Sequence, residues 1–209
     1  MVNQGQFLER PAIIPVGDCV LDGLWHRGAG RPPLLIIPPP PNQGSMHHPV
    51  LAELAWAAAT SGFPTLRFDF RGVGASQGAP TGPAERLTDA EAALRLLEEN
   101  TGVARAALAS FGASAETLLA LHRLHSSIAG LCFVSPAGLS TSELALLPVP
   151  VIAIVGGRDG SIAPPAWAPS ISEARGQLEI IPAADRNFDR NLPEVGKALV
   201  RWLLQLQTP

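Results

Sequence analysis

Short runs of consecutive apolar residues alternate along this chain with longer stretches whose apolar residues recur at helical spacing. The runs Leu34–Ile37, Ala106–Ala109, Leu131–Val134 and Val149–Val155 have no polar face, as expected of strands covered on both sides. Cys19–His26, Thr65–Phe70 and Leu178–Ile181 also read as strands. Helices are predicted over His48–Thr60 (with Ser45 in the cap region), Glu85–Glu99, Ala113–His125 and Pro193–Leu206. Strand followed by helix, repeated, gives βαβ units, so the expected fold is α/β: a doubly wound, mostly parallel sheet with helices on both faces. Ligands of such sheets lie at the carboxyl ends of the strands, so function is sought in the turns that follow them.

Length and composition narrow the classes of function. The 209 residues suit one domain spanning residues 1–209, with 46% hydrophobic residues to fill its core and no repeats or linkers. A net charge of −3 and the lack of a basic stripe argue against a nucleic-acid partner. The apolar run Leu144–Val155 is interrupted by Pro148 and Pro150 and is too short to span a bilayer, so no membrane association is expected. The start, Met-Val-Asn-Gln-Gly-Gln, lacks the basic-then-apolar pattern of a signal peptide. Cys19 and Cys132 lie in apolar, strand-like stretches and read as reduced thiols, which fits a cytoplasmic protein. The histidine pairs His47/His48 and His122/His125 have no cysteine or carboxylate at a ligand spacing, so neither a metal nor a cofactor is expected.

Four strand-end turns carry the candidates. Gly72-Val73-Gly74-Ala75-Ser76-Gln77-Gly78 resembles a dinucleotide loop only superficially, because its third glycine is misplaced and prolines follow. At the next junction, Leu108 to Glu116, a nucleophile elbow needs small residues two before and two after its serine. Ser110 has Gly112 after it but Leu108 before it; Ser114 has Gly112 before it but Glu116 after it. Ser110, at the end of the apolar run, is the better placed. Asp159, after Gly156-Gly157-Arg158, stands where an acid would orient an imidazole, or serves as a turn residue. The fourth turn, Pro182 to Phe188, follows the last strand, where a triad requires its histidine.

From about residue 18 onward the chain resembles the small, lidless bacterial α/β-hydrolases. The matching segments are Gly44-Ser45-Met46, Phe68-Asp69-Phe70-Arg71-Gly72-Val73-Gly74 with Ser76, Ser110-Phe111-Gly112-Ala113, Gly156-Gly157-Arg158-Asp159 and Ile181-Pro182-Ala183-Ala184-Asp185. The resemblance implies hydrolysis of an acyl ester or thioester, with Ser110 as nucleophile, Asp159 as acid and no lid between Ser135 and Val149. Three departures stand against ordinary esterase chemistry, one of them Leu108, which adds strain where the elbow needs a small residue. Arg186 follows Asp185 where the family has histidine, and it cannot act as a base because it stays protonated. The family's His-Pro-His-Pro tract has become Pro38-Pro39-Pro40-Pro41, and proline has no N–H to offer an oxyanion.

Three readings follow. In the first, the chain is an enzyme of altered chemistry acting on a small acyl or carbonyl substrate. His47 or His48 is then the base, Arg186 an anion clamp, and Asn42, Gln43 and Gly44 the remaining oxyanion-loop donors, with Phe111 and Trp167 lining the pocket. In the second, it is an inactive homologue that binds a ligand or protein, with Arg186–Asp159 as a structural ion pair. In the third, it is an ordinary serine esterase using Ser110. The partner is a small molecule in the first and third readings, and a homodimer covering an open pocket is compatible with each.

Overall fold

The computed structural model describes residues 9–80, 82–140, 143–144, 146–161 and 176–207. Eight strands form one sheet: β1 Arg10–Val16, β2 Cys19–His26, β3 Leu34–Ile37, β4 Thr65–Phe68, β5 Ala107–Phe111, β6 Gly130–Val134, β7 Val151–Gly156 and β8 Gln177–Ile181. Helices among the described residues include α1 Pro49–Thr60, α2 Pro83–Thr101, α3 Ala115–Leu124 and α4 Leu192–Gln205. The strand order is β1-β2-β4-β3-β5-β6-β7-β8. β1 and β2 pair antiparallel, as do β2 and β4, and all other neighbours are parallel.

The apolar runs are buried on both faces, and the pleat sends alternate residues to two cores. Leu35, Ile37, Leu108, Leu131, Phe133, Ala153 and Val155 face α2 and α3. Leu34, Ile36, Ala107, Ala109, Cys132, Ile152 and Ile154 face α1 and α4. Each fully buried Leu or Ile contributes about 1.5–3 kcal/mol relative to exposure, so the two layers dominate the fold's stability. α1 and α4 lie close enough that a Cβ on Gly196 would stand 2.7 Å from the Ala57 Cβ.

β1 is the one strand that the sequence pattern did not reveal. It carries Pro11 and Pro15, which a central strand does not tolerate, but β1 is an edge strand, where a missing N–H costs no ladder bond on the open side. Its inward residues Ala12, Ile14 and Val16 are buried, while Ile13 is 70% exposed. The cap of α1 also differs from expectation. His48, not Ser45, occupies the N-cap, with its side chain accepting from the Val50 N–H and Pro49 opening the helix.

β3 sits between β4 and β5, so the chain leaves β3 for one side and later returns on the other. The loops after β3 and β5 therefore diverge to opposite faces, α1 on one and α3 on the other. This is the switch point at which open α/β sheets form their crevice.

Candidate active-site region

β5 delivers the chain to this crevice as a wholly buried strand, and the backbone then turns sharply. The turn falls at Gly112, whose φ of +64° is the left-handed conformation that favours glycine. A short 3₁₀ turn, Gly112–Ser114, leads into α3. The expectation that Ser110 forms the elbow is thereby corrected. Ser110 lies inside β5, paired in register with Ile37 and Phe133, and is only 1% exposed. Its position shares the strand face of Leu108, toward α2 and α3, and its hydroxyl has no hydrogen-bond partner. Ser114 is fully buried too, and its Oγ donates to the Phe111 carbonyl at 2.7 Å.

The two later loops are laced together beside this turn. The Gly157 and Arg158 N–H groups donate to the Ile181 and Ala184 carbonyls, each at 2.9 Å. Ser135 Oγ donates to the Arg186 carbonyl at 3.0 Å. Asp185 closes its own turn by accepting from the Asn187 and Asp189 N–H groups. These bonds set Arg186 over the elbow, with Nη2 3.3 Å from the point where a Cβ on Gly112 would stand.

Asp159 is 95% buried, as a triad acid would be, but its partner is Ser161. Asp159 Oδ1 accepts from the Ser161 N–H at 2.9 Å and from Ser161 Oγ at 2.5 Å. Ser161 Oγ in turn accepts from Arg186 Nη1 at 2.6 Å. The expected Arg186–Asp159 ion pair is thus replaced by a relay through a hydroxyl. Asp159 Oδ2 is buried without a hydrogen-bond partner. Ser161 was not singled out from the sequence; its spacing two residues past an aspartate, where an Asx-type turn forms, was the available signal.

The β3 loop closes the other side. Pro38, Pro39 and Pro40 are buried, and the Gln43 N–H is taken by the Pro40 carbonyl at 2.8 Å. Asn42, Gln43 and Gly44 are exposed. The loop is tied down further along: the Met46 N–H donates to Asp69 Oδ1 at 2.5 Å, and Arg67 Nη1 donates to the Met46 carbonyl at 2.7 Å. Arg67 also pairs with Glu9. Burial pushes the Asp69 carboxyl up, against the pull of the Met46 N–H and of His47 and Arg67.

The two candidate bases part company. His48 stacks on Phe111, ring centroids 4.4 Å apart, and so reaches the residue before the elbow. Burial lowers its pKa, with Asp189 opposing, and the neutral ring spends its Nδ1 lone pair on the Val50 N–H. That leaves Nε2 as the protonated nitrogen, a donor and not a base. His47 is exposed, and its backbone N–H bonds Ser45 Oγ. Trp167 lies outside the described residues. Among the described residues, no group of three or more His, Cys, Asp or Glu side chains is placed to hold a metal ion, and no helix is long and apolar enough to cross a membrane.

No family model matches the sequence. The chain is 28% identical over 190 residues to an uncharacterised protein of Rickettsia prowazekii, covering 84% of this chain and 79% of that one. Among solved structures, it is similar to an Agrobacterium tumefaciens protein of unknown function described as a candidate α/β hydrolase. That match has a TM-score of 0.78 at 23% identity, over 96% of this chain and 97% of the other. It is also similar to a lidless α/β serine hydrolase of Xanthomonas campestris, with a TM-score of 0.76 at 24% identity and 94% of each chain covered. The architecture is the α/β-hydrolase fold without a lid insertion.

Proposed function

We propose that this chain is a non-hydrolytic form of the α/β-hydrolase fold that binds a small oxyanion, a carboxylate or phosphate, against Arg186. The observation that carries this reading is the elbow. In hydrolases of this fold the nucleophile occupies the strained turn between strand and helix. Here that turn is Gly112, which has no side chain, and the Arg186 guanidinium stands against the place where one would be. Ser110 and Ser114 are buried and do not replace it. The prolines of the β3 loop lack the second oxyanion donor, and the base position holds a permanent cation. Attack, proton transfer and oxyanion support are each weakened by a different substitution.

What remains suits recognition. Ser161 fixes one arm of the Arg186 fork, leaving Nη2 directed at the elbow, so less side-chain freedom is lost when an anion is bound. Arg158 and Arg190, on the same loops, line an adjoining cavity of about 510 Å³ together with Asp185, Asp189 and Asn191.

The test has two arms. A fluorophosphonate probe is expected to leave the protein unlabelled, and p-nitrophenyl acetate to show no burst; stoichiometric labelling of any serine overturns the reading. Titration with phosphate and with benzoate, followed by the Arg186 Nε resonance, is expected to saturate. Arg186→Ala should then weaken binding by roughly tenfold or more, equivalent to about 1.4 kcal/mol. Equal affinity in the variant removes Arg186 from the site.

A further inference from the structure

The far end of α3 carries a second concavity. Ten residues of helix, about 15 Å at the usual rise, separate it from the elbow at which α3 begins. Leu119, His122 and Leu124 from α3 and Leu146, Leu147 and Val149 from the β6–β7 connection line a cavity of about 650 Å³. Its inner wall is core: Leu119 is 4% exposed, and Leu147 and Val149 pack on the buried cluster. Its rim holds Leu146, 83% exposed, and Leu124, 58% exposed, so apolar surface faces water on both sides of the opening.

One polar group belongs to the interior. His122 is 92% buried, and its Nδ1 is shut in without a partner. Burial and the neighbouring Arg123 both lower its pKa, so the ring is neutral near pH 7. An N–H enclosed without an acceptor is the rarer and costlier arrangement, which puts the proton on Nε2, the nitrogen left to meet the cavity. Arg123 and Glu143, also on the lining, pair with each other at 3.4 Å and leave it without net charge from that pair. A concave apolar wall with one inward donor is the usual form of a small-molecule site.

We infer that this cavity binds an uncharged, mainly aliphatic small molecule through a single acceptor oxygen placed on His122. The site is independent of Arg186 and of the function proposed for the elbow.

The test uses 2-octanone, octanoate and the full chain, with binding read from the His122 ring nitrogen resonances. The ketone is expected to bind with a dissociation constant of about 1 mM or tighter and to shift the Nε2 signal. Octanoate should bind roughly tenfold more weakly, because its carboxylate loses more hydration than a ketone on entering an apolar cavity. Leu146→Asp, a change at an exposed rim position, should weaken the ketone by roughly fivefold, and His122→Phe, which removes the donor, should weaken it by a similar factor. Saturating phosphate should leave ketone affinity unchanged. Absence of saturable binding, binding that leaves the His122 signals and the Leu146→Asp affinity untouched, or a preference for octanoate overturns the inference.

Discussion

The loop that supports the site and the elbow beside it are held in contrasting ways. Around β4 the anchors are tied by several hydrogen bonds, although Asp69 Oδ2 and Arg67 Nε are buried without a partner. Asp69 and Arg67 clasp Met46, Ser76 Oγ donates to the Asp69 carbonyl at 2.8 Å, and buried Asp89 holds the Arg71 N–H and guanidinium. At the elbow, by contrast, the turn is made by a bare glycine facing an arginine. The anchors satisfy buried polar groups, and losing one of a pair exposes the other's full desolvation cost. A reacting side chain stabilises nothing, so its replacement is cheap for the fold. On the function proposed above, packing holds the frame of the fold whatever side chain stands at the elbow.

This contrast is broken most directly at Asp89. It is fully buried and accepts from the partly exposed Arg71 at 2.5 Å, so Asp89→Ala removes a buried carboxylate that holds both the Arg71 guanidinium and its N–H. A loss of about 3 kcal/mol or more is expected from breaking such a pair, seen as a large fall in the urea midpoint. A change within the scatter of surface substitutions would mean that the frame is not held as described.

The extent to which the sequence disclosed this molecule follows the same division. The sheet was legible because β3, β5, β6 and β7 are buried on both faces, so Ser110 near the end of β5 is the one hydroxyl in otherwise apolar runs. β1 was hidden by prolines that only an edge strand tolerates. The elbow was misplaced by two residues because a serine at a strand end looks like a nucleophile, while a glycine looks like punctuation. Only the sign of φ at residue 112 tells which of them makes the turn. Pairing Arg186 with Asp159 was a reasonable expectation from charge alone. The intervening Ser161 depends on an Asx-type turn, for which its spacing two residues past Asp159 is only a weak signal.

A smaller effect is expected at the elbow itself. Gly112→Ser puts a side chain on a left-handed residue, at about 1–3 kcal/mol of backbone strain, with Arg186 Nη2 3.3 Å from the new Cβ. The single variant should fold less stably and remain unlabelled by a fluorophosphonate, because no base is present. Adding Arg186→His should relieve the crowding and offer a base. Slow labelling of residue 112 in the double variant would locate the loss of chemistry in these two positions. Its absence would shift the weight to the proline tract of the β3 loop.

The smallest effect is electrostatic and concerns His48, which bridges the two regions by capping α1 while stacking on Phe111. Burial holds its pKa below the ordinary 6.5. Below 6.5 the unfolded chain therefore takes up a proton that the folded chain refuses, and stability falls as the pH drops from 6.5 toward the depressed value. His26 and His122 are lowered for the same reason and add to the slope. His48→Asn keeps an N-cap acceptor but removes the titration. The variant should match the parent's thermal midpoint near pH 8 within a few degrees and lose less of it between pH 7 and pH 6. An unchanged slope would show that the stacked ring titrates as freely as a solvated one, and that the contact between α1 and the elbow is looser than the 4.4 Å stacking distance implies.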